Sequence, residues 1–221
     1  MLVRAEKVCM EFQRGTGSFQ ALKETDLVLP EGRLTVLEGR SGSGKTTLLN
    51  ILAGVQNPSR GKVLYDGTDL YSMDDEALSR FRNDHCGIVP QGQTAVAALT
   101  VLENVMLPGT IYGVDKGLRE RAEALLEKMK IADLKDVLPA ELSGGEIRRM
   151  AIARALVRDP VVLFADEPTS DLDDENTEAV FGILREIAEA GKSVLVVTHE
   201  RNADRYADDM YHMESGVLRK G

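Results

Sequence analysis

GRSGSGKT, at residues 39–46, fits the pattern G-x-x-x-x-G-K-[ST] and decides the fold class. It follows a short apolar run, RLTVLEG (33–39), and opens a helical pattern, GKTTLLNILAG, that starts at Gly44. Glycines let backbone N–H groups turn toward an anion, and the N-terminus of the following helix adds favourable partial charge. The sequence therefore predicts a phosphate-binding loop between a buried strand and a helix.

Two side chains at the end of this loop indicate what it binds. Lys45 is expected to reach the β- and γ-phosphates of a nucleotide, and Thr46 to ligate Mg²⁺. A flexible turn is the alternative interpretation, but the preceding strand and the following helix are the context that a nucleotide site needs. We predict a site for a nucleotide with its magnesium ion.

The rest of the chain supplies the strands and helices of an α/β fold. VVLFADE (161–167) and KSVLVVTH (192–199) are continuous apolar runs, typical of parallel strands that are covered on both faces. Helical patterns follow them, which predicts a three-layer α/β sheet. Residues 1–30 and GKVLYDGTDL (61–70), with Asp66-Gly67 as a turn, favour an additional antiparallel β subdomain.

A stretch of different character, residues 94–142, lies between these sheet segments. It contains the amphipathic patterns LTVLENVML and GLRERAEALLEKMKIADL, whose charged and apolar residues fall on opposite faces. We interpret it as the start of a helical subdomain, about residues 94–158, that is inserted into one domain spanning residues 1–221.

Composition excludes several classes of protein. A net charge of -9 argues against a general nucleic-acid binder, and two cysteines, Cys9 and Cys86, form no disulfide or zinc pattern. No stretch approaches the roughly 18 to 20 apolar residues of a membrane span, and charges interrupt the apolar residues of the N-terminus. We expect a protein of the reducing cytosol that would need a partner to work at a membrane.

Further polar residues follow the predicted parallel strands, at the sheet edge where ligands bind in open α/β folds. Asp166 is suited to hold Mg²⁺, and Glu167 to polarise a water molecule for attack on the γ-phosphate. His199 is expected to contact the γ-phosphate or the attacking water. Gln91 follows the strand-like CGIVP and could touch Mg²⁺ or water, although a loop residue without function is the alternative.

The segment LSGGE (142–146) raises a separate question, because it is a second glycine-rich helix start without a lysine. Ser143 can cap a helix that begins near Glu146, and Gly144 and Gly145 can expose N–H groups at its positive end. One interpretation is that this half-site closes over a nucleotide held by a second copy of the chain, in a two-fold dimer with two shared sites. A helix cap with packing glycines is the other.

Taken together, the motifs in this order and spacing resemble the nucleotide-binding subunit of ABC transporters. The resemblance covers essentially the whole chain. It implies an ATPase with the P-loop NTPase fold, whose motifs here are Walker A (39–46), the Q-loop at Gln91, the signature (142–146), Walker B ending at Asp166 with Glu167 as catalytic base, the D-loop (170–173) and the H-loop at His199.

The resemblance also implies a full set of site residues. Catalysis is assigned to Glu167, His199 and Gln91, and metal binding to Thr46, Gln91 and Asp166. Contacts with the nucleotide are assigned to Phe12, Gly39, Arg40, Ser41, Gly42, Ser43, Gly44, Lys45, Thr46, Thr47, Ser143, Gly144, Gly145 and Glu146. In this family an aromatic side chain stacks on adenine; Phe12 matches its place best, with Phe19 as the second candidate.

The finer resemblance is to the compact ATPases of the lipoprotein-releasing, macrolide-exporting and FtsE-like branch. It implies ATP and Mg²⁺ as cofactors, an ATP-dependent homodimer, and a separate membrane permease that holds the chain at the cytoplasmic face of the membrane. An exporter or an extruder of lipid, lipoprotein or peptide is expected, with an FtsE-like regulatory ATPase as the alternative. The signature ends in Glu146, where glutamine is more usual, and no aromatic residue follows Gln91.

Two other classes of protein share part of this pattern. ABC ATPases of DNA repair, chromosome structure or translation carry long coiled coils or two cassettes in one chain, and neither is present here. A small-molecule phosphotransferase would leave LSGGE without a role. Both alternatives are therefore weaker than the transporter subunit.

Overall fold

The computed structural model describes residues 1–15, 17–92, 94–113 and 116–221. The strands in this part of the chain are β1 (Val3–Arg14), β2 (Gly17–Leu29), β3 (Leu34–Glu38), β4 (Arg60–Tyr65), β5 (Thr68–Asp69), β6 (Cys86–Val89), β7 (Val162–Asp166), β8 (Ser193–Thr198), β9 (Asp209–Glu214) and β10 (Val217–Lys220). The α-helices are α1 (Lys45–Leu52), α2 (Asp75–His85), α3 (Val101–Met106), α4 (Leu118–Lys128), α5 (Gly144–Leu156) and α6 (Asp174–Glu189). None of the helices found in the described ranges is long and apolar enough to cross a membrane.

The central sheet has six strands in the order β10-β9-β3-β8-β7-β6. β3 pairs in parallel with both β8 and β9, and β7 pairs in parallel with β8 and β6, while β10 runs antiparallel to β9. The predicted mainly parallel sheet is confirmed. Because β8 lies between β3 and β7, residues that follow these three strands meet at one edge of the sheet.

Side chains of the central strands alternate between two buried layers. Val36 and Val196 belong to a core shared with α3, α4, α5 and α6, whereas Leu37 and Val197 belong to a core shared with α1 and the antiparallel strands. A strand that is buried on both faces needs apolar residues at consecutive positions. This explains why β3, β7 and β8 are continuous apolar runs in the sequence.

The antiparallel sheet, in the order β2-β1-β4-β5, is the predicted β addition. Tyr65 pairs with Thr68, so the turn between β4 and β5 consists of Asp66 and Gly67, with φ values of 47° and 84°. Two consecutive positive φ values define the tight hairpin turn for which Asp-Gly is a preferred sequence. The predicted turn is present.

Three helices, α3, α4 and α5, lie between β6 and β7 along the chain. They bury apolar side chains against one another, among them Val105, Leu126 and Met150. Thr100 and Glu103 form a capping box at the start of α3, which satisfies N–H groups that the first turn leaves unpaired. The amphipathic patterns of the sequence therefore correspond to real helices. The helical pattern expected after residue 199 is a 3-10 helix, Arg201–Tyr206.

Asn104 of α3 is fully buried and holds the preceding loop. Its Oδ1 accepts a hydrogen bond of 2.8 Å from the Val96 N–H. Its Nδ2 lies 3.0 Å from each of the carbonyl oxygens of Val96, Leu99 and Thr100. Removing this amide would take away the partner of the Val96 N–H and of the Leu99 carbonyl, while the carbonyls of Val96 and Thr100 would keep a backbone partner each. It would also leave a void at a fully buried position, and both changes cost free energy.

We expect Asn104→Ala to lower the free energy of unfolding by about 2–4 kcal/mol, measured by urea denaturation. Asn83→Ala is the control, since Asn83 is also an asparagine in an α-helix, and its half-exposed side chain makes no hydrogen bond within the described ranges. Equal stability of the two variants would contradict a stabilising role for the buried amide.

Candidate active site

The phosphate-binding loop is held between β2 and β9. Gly44 precedes α1 with a φ of 108°, in a conformation that L side chains rarely adopt. A β-carbon at Gly44 would collide with the carbonyl oxygen of Ala21, and one at Gly39 with that of Met213. Two glycines of the motif are therefore required by close backbone contacts as well as by the turn.

Lys45, the first residue of α1, is buried with 5% of its surface exposed. Its Nζ donates hydrogen bonds to the carbonyl oxygens of Gly39 at 2.7 Å and Arg40 at 3.2 Å. The same Nζ lies 3.9 Å from Glu167 Oε1. The backbone carbonyls of the loop therefore hold the Lys45 ammonium group in place. The Glu167 carboxylate is a more distant partner of opposite charge.

Glu167 follows β7 and is held on both sides. Its backbone N–H donates to the carbonyl of Val197 at 2.8 Å, and its φ is 47°, a conformation that costs free energy for a residue with a side chain. Glu167 Oε2 lies 2.9 Å from His199 Nδ1 and accepts a hydrogen bond of 3.3 Å from the His199 N–H. The carboxylate is thus fixed between the Lys45 ammonium and the end of β8.

Asp166, the last residue of β7, is 4% exposed. Burial raises the pKa of this carboxyl and the Glu167 charge adds to the rise, while a hydrogen bond with Thr46 and the charge of Lys45 act in the opposite direction. Asp166 Oδ1 is buried without a hydrogen-bond partner in the described part of the chain. A carboxylate oxygen without a partner beside a threonine hydroxyl is a donor set that fits Mg²⁺.

The two aromatic candidates lie together at the other end of the site. Phe12 of β1 and Phe19 of β2 are register partners, with 39% and 52% of their surfaces exposed. Both line a cavity of about 360 Å³, which also reaches Gln91, Glu167 and His199. One open space therefore extends from exposed aromatic faces to the buried lysine and carboxylate.

Most of the predicted site residues line this cavity or the adjoining one. The first cavity is lined by Phe12, Phe19, Ala21, Ser41, Gly42, Gly44, Lys45, Thr46, Thr47, Gln91, Glu167 and His199. The adjoining cavity, of about 790 Å³, adds Gly39, Arg40 and Ser43. Asp166 lies beneath the loop, next to Thr46 and Lys45.

The LSGGE segment forms the N-terminus of α5, which begins at Gly144, two residues earlier than expected. Ser143 Oγ accepts from the Glu146 N–H at 3.4 Å, and Glu146 Oε2 accepts from the Ser143 N–H at 2.7 Å. Hydrogen bonds from the Ser143 hydroxyl and N–H lower the pKa of Glu146. A glutamate at this position therefore completes a capping box.

Gly144 is exposed, whereas Gly145 is buried against Asn176 of α6, so the two glycines differ in environment. Gly144 lines a third cavity, of about 130 Å³, with Gly92 and Asp171. No residue of the LSGGE segment lines the two cavities at the phosphate-binding loop, as far as the described ranges show. Within one chain, the two glycine-rich segments face different spaces.

Sequence reasoning missed several residues that shape the site. Ala21 and Met213 set the close contacts of the glycine loop, and Arg148 joins the third cavity. Ala21 and Met213 carry no chemical signal in the sequence, because the closest contacts at both glycines are with their backbone oxygens. Arg148 lies just after LSGGE, but nothing in the sequence indicates that its charge is buried.

Comparison with known proteins agrees with this geometry. Residues 22–170 match the model of the family described as "ABC transporter". The chain is 38% identical over 221 residues to the lipoprotein-releasing system ATP-binding protein LolD of Saccharophagus degradans, covering 99% of the chain and 97% of that protein. It is 36% identical over 208 residues to the macrolide export ATP-binding/permease protein MacB of a Shewanella species, covering 94% of the chain but 32% of that longer protein.

Solved structures give the same family. The dimeric structure of MJ0796, a bacterial ABC transporter cassette, superimposes with a TM-score of 0.90 at 34% identity and covers 99% of this chain and 98% of that one. A post-hydrolysis dimer of MJ0796 with ADP and Pi gives a TM-score of 0.89 at 34% identity, with the same coverage. Together with the lysine, carboxylates and histidine at one sheet edge, these matches show that the chain belongs to the ABC transporter family, as an ATP-binding and ATP-hydrolysing subunit.

Proposed function

We propose that this subunit hydrolyses ATP at two composite sites of a homodimer and drives a separate membrane permease. The observation that carries the proposal is the placement of Lys45, Glu167 and His199 in one cavity, while the LSGGE segment faces another. Each copy has a phosphate-binding half and a signature half that do not meet within the chain. Two copies related by a two-fold axis can supply both halves to each nucleotide.

In the proposed reaction, ATP binds with its phosphates on the loop N–H groups and its base against Phe12, beside Phe19. Lys45 then exchanges the carbonyl oxygens of Gly39 and Arg40 for phosphate oxygens, which are stronger acceptors because they are charged. Thr46, Asp166 and Gln91 would hold Mg²⁺, which supplies charge stabilisation on the phosphate oxygens. The unpaired Oδ1 of Asp166 supports this assignment.

Glu167 is the proposed general base. Its carboxylate orients the attacking water and accepts its proton, while His199 holds the carboxylate and reaches toward the γ-phosphate. The water oxygen bonds to the γ-phosphorus as the bond from that phosphorus to the bridging oxygen breaks, the electron pair of the broken bond leaves with ADP, and the water proton passes to Glu167. The remaining charge on the phosphate oxygens faces Lys45 and the N–H groups of the loop.

The signature half would be supplied by Ser143, Gly144, Gly145 and Glu146 of the second copy. Ser143 and Gly144 are exposed at the positive end of α5, where an anion is favoured. The acidic segment 170–173 begins three residues after Glu167 and shares the third cavity with Gly144. Closure over the γ-phosphate would therefore bring this segment to the dimer interface as well.

The permease is proposed to dock in a groove between the central sheet and the inserted helices. This groove, of about 260 Å³, lies beside Ile88 of β6 and includes Ile111 and Tyr112, whose exposed fractions are 61% and 40%. Large apolar side chains exposed beside a groove are typical of a protein interface. We infer a single domain of residues 1–221, with about residues 94–158 as the helical insertion, held by the permease at the cytoplasmic face of the membrane.

The role of Glu167 predicts a trapped dimer. We expect Glu167→Gln to lower kcat by about 10²–10⁴-fold with little change in ATP affinity. The phosphates of bound ATP become the partners of Lys45, so the substitution removes proton transfer and not the binding of the nucleotide. Light scattering after size-exclusion chromatography should then show a dimer with ATP and a monomer without it. In the same background, Ser143→Arg should keep ATP binding but stay monomeric, and Lys45→Ala should bind ATP poorly. A Glu167→Gln variant with ATPase activity near that of the wild type would disprove the assignment.

Burial of Asp166 predicts a conflict between stability and activity. Asp166→Asn should raise the thermal midpoint of the nucleotide-free protein by about 2–4 °C, because an uncharged amide is easier to bury. The pKa of Asp166 is raised in the folded state, so the cost of its charge is present at neutral pH and falls as pH drops through that pKa. The difference in thermal midpoint between Asp166→Asn and the wild type should therefore shrink in acid. Independently of pH, the variant should lose Mg²⁺-dependent ATP hydrolysis. Asp133→Asn, at an exposed position, is the control; a lower midpoint for Asp166→Asn at neutral pH would refute the argument.

The proposed docking groove predicts a variant that loses binding to the permease but keeps ATP hydrolysis. Ile111→Asp should leave the ATPase activity and the ATP-dependent dimer of the isolated subunit within about twofold of wild type, since a surface substitution rarely exceeds about 0.5 kcal/mol. It should abolish binding to the cognate permease in a pull-down from detergent solution. Val28→Asp, a similar change at a position with 38% exposure on β2, should still bind. Equal binding by both variants would place the docking surface elsewhere.

A further inference from the structure

Two arginines of α5 bind the segment that follows β6 and contains Gln91. Arg148 Nη1 donates to the carbonyl oxygen of Pro90 at 3.2 Å. Arg154 donates two hydrogen bonds to Thr94, one to the Thr94 carbonyl oxygen at 2.7 Å and one to the Thr94 hydroxyl at 2.6 Å. Gln91 therefore lies between two points at which the chain is fixed to the helix that begins with the signature segment.

Arg148 has less exposed surface than Arg154: only 7% of Arg148 is exposed, whereas Arg154 is partly exposed. Burial lowers the pKa of both guanidinium groups, and the charge of Asp171 acts in the opposite direction at Arg148. Within the described ranges it makes one hydrogen bond, to the neutral carbonyl of Pro90, and no ion pair within 4.0 Å. A buried cation with so few partners costs free energy, so a role in stability alone does not explain the residue.

Arg148 lies at a junction of three segments, which suggests a function that offsets the free-energy cost of burying its charge. It lines the small cavity of about 130 Å³ together with Gly92, Gly144 and Asp171. These neighbours belong to the segment after β6, the start of α5 and the loop after β7. Arg148 thus lies where the three segments meet and carries a charge there, although it does not line the ATP cavity itself.

We propose that Arg148 is a positioning residue that fixes Gln91 relative to the start of α5, through its hydrogen bond to the carbonyl of Pro90. Gln91 then reaches the nucleotide cavity only when the signature end of α5 is in place. The inference rests on the proposed role of Gln91 at the phosphates and metal. It adds a residue outside the site that makes this role depend on the position of the signature helix.

Kinetics of a double-mutant cycle between Arg148 and Gln91 test the proposal in the full-length chain. Gln91→Ala and Arg148→Met should each lower kcat by about tenfold or more, while the Kd of a fluorescent ATP analogue changes by less than about twofold. The double variant should be no slower than Gln91→Ala alone, because Arg148 acts through Gln91. Arg148→Lys keeps a donor and should recover part of the activity.

Hydrogen exchange gives a readout that does not depend on turnover. In nucleotide-free protein, Arg148→Met should speed exchange in the peptide containing Gln91 by about tenfold, with little change within α5. Arg149→Met is the matched control: the neighbouring arginine contacts Asn176 at 3.4 Å instead, and its loss should leave that peptide unchanged.

The possible failures are distinguishable. Multiplicative effects of Arg148→Met and Gln91→Ala on kcat, or unchanged exchange near Gln91, would overturn the positioning role while leaving the proposed ATPase mechanism intact. Normal activity of Gln91→Ala would remove the proposed role of Gln91 itself, and the inference with it. If Arg148→Met does not fold, Arg148→Lys carries the kinetic test: it recovers only part of the activity, and its remaining loss of kcat should disappear in the Gln91→Ala background. A loss that persists in that background would overturn the positioning role.

Discussion

The contact between the Lys45 ammonium and the Glu167 carboxylate is the interaction on which the site depends. Both groups are buried, and their atoms lie 3.9 Å apart. Burying either charge without the other would cost additional free energy. Two loop carbonyls also bind the lysine, and His199 also binds the carboxylate. Each charged group therefore has an opposite charge nearby and a fixed orientation.

Strand order makes this contact possible. β8 lies between β3 and β7, so the residue after β8, His199, falls between the phosphate-binding loop and Glu167. β6 lies on the far side of β7, which brings Gln91 to the same edge. The parallel register of β3 with β8 begins with Leu34 opposite Val194, and that of β7 with β8 ends with Asp166 opposite Val197. This uninterrupted pairing fixes the positions of the groups at the ends of the three strands.

Several features in and next to the site cost free energy in the nucleotide-free protein. Glu167 has a positive φ, Asp166 Oδ1 is buried without a described partner, and Arg148 is a buried cation bound to a neutral carbonyl. Such features persist only where the surrounding structure is rigid enough to hold them. Two cores on either side of a fully buried sheet supply that rigidity. In the proposed cycle, a bound cation would compensate the charge of Asp166, which the fold leaves incompletely paired.

The sequence by itself determined the fold class and most of the local chemistry. Continuous apolar runs predicted β3, β7 and β8, Asp66-Gly67 predicted a hairpin turn, and GRSGSGKT predicted a loop between a strand and a helix, because these depend on near neighbours along the chain. The tertiary structure alone decided which groups touch. Lys45 with Glu167, Gly44 against Ala21, and Arg148 with Pro90 join residues far apart in sequence, and only packing fixes such distances and the burial of each charge.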